Sequence, residues 1–256
     1  MNLNIPEPNL VNLPKIAPFP RWRLGLVALG SDMTIEHSFQ RMLAQIDYVA
    51  VHVNRLPFDG GISLTNLKTM ETQITDTASE IIPGAPLDAL LYGCTSASAA
   101  IGDDRVRACL QQARPSLGAA VHTPVSAALS AFKALNVTKV SVITPYPRDV
   151  TATLAQYFAS MGMKIRVLSC LGLPSDYENG KIEPEELIAL AQKINHRDAE
   201  AVFLSCTGIR GAEAADRLEA KLGLPVVASN QALLWRGLKD AGCNFKIAGF
   251  GRLMQI

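Results

Sequence analysis

An α/β protein of two similar lobes is what the 256-residue sequence predicts, each lobe a parallel four-stranded sheet flanked by helices, the pair pseudo-twofold, with the active site between lobes. Three observations predict it. Short continuous apolar runs rich in β-branched residues alternate with longer amphipathic stretches, the pattern of strands covered on both faces by helices. Punctuation falls where such helices need it: Pro184 opens one, and Gly162 and Gly223 stand just past the ends of two others. The chain also repeats itself: LLYGCTSASAAIG around Cys94 is answered by VFLSCTGIRGAEA around Cys206. Each copy runs on through a helix, a Leu-Gly turn, a strand and a polar elbow, VHTPVSAAL in the first and VVASNQALL in the second.

Taken in order, residues 1–20 carry Pro6, Pro8, Pro14, Pro18 and Pro20 and predict an extended arm, because prolines so close together prevent helix and ladder alike. From Arg23 the strands are LGLVAL, YVAVHV, LDALLY, GAAVH, KVSVIT, KIRVLSC, AVFLSC and PVVAS. Helices are expected over 34–46, 64–82, 102–113, 126–135, 150–161, 184–195, 212–222 and 231–241. The expected partition is the arm (1–20), a first lobe from 21–121 plus 229–256, and a second lobe from 122–228.

Bulk numbers narrow the function. A net charge of +1 with 18% charged residues leaves no basic face for a phosphate backbone, so no nucleic-acid partner is expected. The first residues lack the pattern of a secretory signal, and no apolar run reaches bilayer length, so no membrane partner is expected either. Five cysteines without a CxxC pair, and four histidines without zinc-like spacing, imply a reduced cytoplasmic protein with no metal. P-loop, GxGxxG and GxSxG motifs are absent, and the chemistry expected needs no cofactor. Apolar helices and the arm suit a homo-oligomer.

Cys94 and Cys206 each sit at a strand end with a helix to follow, where unpaired N–H groups stabilise a thiolate and cradle a carboxylate. The hydroxyls of Thr95, Ser96 and Thr207 belong to the same cradle. Strands of open α/β sheets point their carboxyl ends at the ligand, so a twofold arrangement aims both thiols at one cleft. Buried cysteine is often only a small apolar residue, and that reading suits Cys109, Cys170 and Cys243. Asp32, just ahead of the helix expected from Thr34, is equally suited to capping that helix, with Glu36 near the place for a capping box.

The sequence from about Arg23 to Gly251 resembles the aspartate/glutamate racemase superfamily, in the branch that holds maleate cis–trans isomerases, arylmalonate decarboxylases and ectoine-utilisation proteins. The resemblance is carried by LVALGSDMTIE, YGCTSASAAIG, TPYPRDV, LSCTGIR and LGLPVVASNQALLW, in that order. It implies that Cys94 and Cys206 are the catalytic pair. It further implies that Thr95, Ser96 and Tyr146 bind a substrate carboxylate, with a backbone N–H from Thr207, and that Ser31, Thr34 and Thr144 line the cleft. Asp32 falls where maleate isomerases have asparagine, and Asp176 lies in a loop expected near the site. Two acids there oppose a dianion and suit a substrate ammonium, such as that of a diaminobutyrate derivative. Glycine stands at the place of Cys94 in the decarboxylases, which separates this chain from them.

The implied activity is a cofactor-independent isomerase with two cysteines, maleate cis–trans isomerase-like or amino-acid racemase-like, on a small carboxylate or amino acid, with a place in ectoine or amino-acid catabolism. The alternatives are an arylmalonate-type decarboxylase and a non-catalytic ligand-binding member of the same fold. In a racemase one thiolate removes the α-proton and the opposite thiol returns one. In a cis–trans isomerase a thiolate adds to a double bond, the new single bond rotates, and elimination follows.

Overall fold

A computed structural model describes residues 6–12 and 19–256. Of the arm expected over 1–20, residues 1–5 and 13–18 lie outside the described residues, while 6–12 form neither helix nor strand and leave Leu10 and Val11 exposed.

Two parallel sheets carry the molecule. The first contains β1 (Trp22–Leu29), β2 (Val49–Leu56), β3 (Ala89–Tyr92) and β4 (Val121–His122), in the order β2-β1-β3-β4. The second contains β5 (Lys139–Thr144), β6 (Lys164–Cys170), β7 (Ala201–Leu204) and β8 (Val226–Ala228), in the order β6-β5-β7-β8. One order becomes the other by moving each strand four places along the chain, so the repeat seen in the sequence is a repeat of topology. β3 and β7 are buried throughout, as their unbroken apolar runs require. β6, on an edge, instead alternates between exposed and half-buried along Lys164–Leu168.

Eleven helices are described: α1 (Ile35–Leu43), α2 (Leu64–Thr69), α3 (Glu71–Ser79), α4 (Thr95–Ile101), α5 (Asp103–Ala113), α6 (Pro124–Ala134), α7 (Arg148–Ser160), α8 (Asp176–Gly180), α9 (Pro184–Lys193), α10 (Gly211–Leu222) and α11 (Ser229–Asp240). The single helix expected over 64–82 is two, meeting at the fully buried Met70. Its halves serve different neighbours, α2 packing on α4 and α3 on α5 and β2. Gly102 separates α4 from α5 at φ 108°, a conformation that L side chains rarely adopt. α6 starts two residues ahead of its expected position because Thr123 and Ser126 form a capping box and Pro124 suits the first helical place. The DYENG stretch, expected as loop, closes one helical turn as α8, whose start Ser175 caps through the Glu178 N–H.

Several connections join the sheets, among them the loop after β2 and helix α11. The loop after β2 reaches the loop after β6, pairing Gly61 with Ser175 in an antiparallel bridge. Ile62 N–H donates to Pro174 O at 2.8 Å there, and Asp176 N–H to Gly60 O at 3.0 Å. α11 leaves β8 of the second sheet and packs on α6, α1 and β3, carrying its first turn between the two halves.

Candidate active site

β3 delivers Cys94 and β7 delivers Cys206 to the same end of the two sheets, and the exits differ in local build. After β3, Gly93 makes a turn with no room for a side chain: a Cβ there would stand 2.9 Å from Ile35 Cδ1 and 3.2 Å from Val27 O. Cys94 then caps α4 directly, its Sγ accepting from Ala97 N–H at 3.4 Å with Ser96 Oγ 3.5 Å away. After β7 the chain makes a turn, and α10 begins only at Gly211. Cys206 is therefore not at a helix start, contrary to the expectation, and its Sγ accepts from the N–H of Gly208 at 3.2 Å instead. Asn179 Nδ2, from α8, approaches the same sulfur at 3.8 Å.

Cross-bonds tie the two exits together. Thr207 Oγ1 donates to Gly93 O at 3.0 Å, and Thr95 Oγ1 donates to Ser229 Oγ at 3.0 Å. The same Ser229 oxygen accepts from Cys206 N–H at 3.1 Å. Tyr146, 1% exposed, stands among them with its hydroxyl unpaired. Burial lifts the Tyr146 phenol well above its ordinary range, and negative charge on Cys206 or Cys94 lifts it further.

The remaining expected residues divide by what already occupies their polar atoms. Asp32 Oδ1 accepts from the backbone N–H groups of Thr34 (2.7 Å) and Ile35 (3.0 Å) and from Thr34 Oγ1, so it does cap α1. Glu36 pairs with Arg55 rather than completing a capping box. Thr34 Oγ1 also lies 2.5 Å from Thr207 O, binding the first loop to the second thiol's exit. Ser31 Oγ donates to Asp176 Oδ2 at 2.6 Å, directly across the two halves. Thr144 shares a hydrogen bond of 2.6 Å with Thr151 Oγ1, so its hydroxyl has a local partner. Arg210 pairs with Glu183 and stays away from the thiols.

Electrostatics overturn the expectation of ready thiolates. Burial pushes Cys94 up to about 12, with Asp176 and Asp32 adding to the rise, while the Ser96 and Ala97 hydrogen bonds only partly oppose it. Cys206 is raised well above the thiol range by burial first, then by Asp176 and Asp32. With Cys94 4% and Cys206 5% exposed, the cost of a charge out of water exceeds what a few N–H groups return. Asp176 is itself raised to about 6, chiefly by burial and then by Asp32, against the Ser31 bond that lowers it.

Asn179, Ser205, Ser229 and Asn230 were not singled out from the sequence as site residues. Asn179 Oδ1, Ser205 Oγ and Asn230 Oδ1 are buried without a partner, as is Tyr146 Oη. Asn230 Nδ2 donates to Thr207 O at 2.9 Å. The elbow VVASNQALL held the signal for Ser229 and Asn230: polar residues in an otherwise apolar run beside the second strand–Cys–Thr unit.

The doubled sheet order and the paired cysteines at matching strand ends define an α/β protein with the aspartate/glutamate racemase-like fold. More narrowly, the chain belongs to the arylmalonate decarboxylase family, whose model matches residues 64–254. It is 26% identical to a maleate isomerase of Alcaligenes faecalis, over 91% of this chain and 96% of that one. It is 29% identical to an arylmalonate decarboxylase of Bordetella bronchiseptica, over 56% of this chain and 60% of that one. Its fold matches that of a Nocardia farcinica maleate cis–trans isomerase, a cysteine-to-serine mutant with a covalently bound succinylcysteine intermediate, at a TM-score of 0.85, 24% identity, and coverage of 91% and 98% of the two chains.

Proposed function

We propose that the chain is a cofactor-independent cis–trans isomerase of a small carboxylate, working through Cys94 and Cys206. The observation that carries this reading is the meeting of the two thiol-bearing exits, joined by the Thr207 bond to Gly93 O and by Ser229, which accepts from Thr95 and from the Cys206 N–H, with both thiols buried. The thiol adds across the carbon–carbon double bond, its sulfur to one carbon and its proton to the carbon conjugated to the carboxylate, where negative charge develops as the S–C bond forms; elimination later returns a proton to the sulfur. Rotation about the resulting single bond and elimination of the thiol give the trans product, with no net change in atoms or electrons. Ser96, Tyr146 and the Thr207 N–H hold the carboxylate as its charge grows, while Thr95, Ser31, Thr34, Thr144, Asp32 and Asp176 shape the walls. The maleate isomerase relatives, and the succinylcysteine seen in one of them, support thiol addition as the route.

One observation favours a second reading. The charged groups that act on both thiols are Asp32 and Asp176, and both are acids. That environment disfavours a dianion and suits an ammonium, as in a two-base amino-acid racemase. Proton NMR in heavy water separates the two readings. Maleate converting to fumarate supports the first, and exchange at Cα of an amino acid supports the second. Carbon dioxide release from an arylmalonate would support a lyase instead. Cys94→Ser and Cys206→Ser are expected to lower turnover by at least about a hundredfold each, on the scale of positioned acid–base groups. Full activity in either variant overturns the two-thiol mechanism.

A further inference from the structure

Resting on the reading of this site as one for a small carboxylate, we infer that Ser229 is a further binding residue, its hydroxyl proton donating to the substrate carboxylate between the two thiols. A serine hydroxyl has one proton to give and two lone pairs to fill. Both lone pairs of Ser229 Oγ are spoken for: Cys206 N–H donates to it at 3.1 Å and Thr95 O–H at 3.0 Å. With Thr95 as the donor of their shared bond, Ser229 Oγ donates no hydrogen bond among the described residues, although the side chain is 0% exposed. A buried donor left unspent costs stability unless a ligand completes it.

The position of this donor is fixed by its two partners. One is the backbone of Cys206, the other the side chain that follows Cys94, so Ser229 lies between the chain segments that carry the sulfurs. Thr95, by contrast, has already spent its proton on Ser229. The relay therefore ends at Ser229, and the donation by Thr95 polarises the Ser229 O–H further. Ser229 is also the first residue of the twelve-residue α11, whose N-terminal end favours an anion. Neutral donors of this kind accommodate a carboxylate where the charged side chains acting on the thiols are acids.

Calorimetric titration tests this with the tightest-binding of malonate, succinate and 2,4-diaminobutyrate, each compared with its amide, on wild type, Ser229→Ala and Ser229→Cys. A hydrogen bond to a charged group sets the expected loss for the carboxylate in Ser229→Ala at about tenfold or more. The amide is expected to lose distinctly less, a difference that a merely structural role would not produce. Ser229→Cys keeps the side-chain size but donates weakly, so it must also lose affinity; it serves if Ser229→Ala does not fold. Wild-type affinity in either folded variant overturns the role of Ser229 and leaves the isomerase reading intact. Failure of the wild type to bind any of the carboxylates overturns both.

Discussion

Cys94 and Cys206 show how far burial outweighs local hydrogen bonding in setting a side chain's chemistry. Four groups reach the two sulfurs at 3.2 to 3.8 Å, yet burial holds both thiols above their ordinary range. Iodoacetamide at pH 7 is therefore expected to label the half-buried Cys109 and Cys170 well before Cys94, whose labelling should accelerate steadily as pH rises towards about 12. Peptide mass spectrometry reads the order, and fast neutral labelling of Cys94 would contradict it. Asp176 makes the second prediction at this scale. Its carboxyl is raised to about 6 in the fold, above the ordinary aspartate range of about 4, so the fold disfavours the ionised form. The penalty is absent below about pH 4, where the group is protonated folded or unfolded, and complete above about pH 6. Asp176→Asn is expected to be more stable than wild type at pH 7.5, by at most about 2–3 kcal/mol, and to lose that advantage by pH 4. Denaturant unfolding at the two pH values measures it.

The strand ends and helix starts around the site are short and individually pinned. α6 depends on Thr123, whose side chain accepts from the N–H groups of Val125 and Ser126 and donates to the buried Asp103. Thr123→Ala is expected to cost about 1–2 kcal/mol in urea unfolding, the usual loss for a cap. The turn after β3 depends on Gly93. Adding a methyl group drives it against Ile35 Cδ1 and Val27 O, and the backbone oxygen cannot yield as a flexible side chain would. Gly93→Ala should therefore destabilise by roughly 1–3 kcal/mol, the range for overpacking. It should also displace Cys94, lowering turnover in the variant molecules that remain folded; unchanged stability would show that the turn has slack.

Across the molecule, the two sheets are joined at the site itself rather than by one remote hinge. Thr207 binds Gly93, Thr34 binds Thr207, Ser229 bridges Thr95 and Cys206, Ser31 binds Asp176, and Ser38 binds Glu213. Most of these bonds are buried, where they are hard to break singly because each freed group stays out of water. Unfolding is expected as one transition, with far-ultraviolet circular dichroism and tryptophan fluorescence from Trp22 and Trp235 coinciding. Separate midpoints would mean that one sheet with its helices survives the loss of the other.

By itself the sequence determined the eight strands, most of the helices and the doubled plan, and it singled out Cys94 and Cys206. All of these rest on local periodicity, or on a motif that repeats within one chain. Helix limits were less legible where one long pattern hid two elements, as at Met70, since an apolar stripe continues across a break that only packing imposes. What the tertiary structure decided was the state of each polar group. It spent the Asp32 carboxylate on the start of α1, brought Ser229 to Thr95 across 134 positions, and left the Tyr146 hydroxyl unpaired. By burial it also raised both thiols above their ordinary range. Burial and long-range pairing belong to no short segment of chain, so a residue's neighbours in sequence cannot report them.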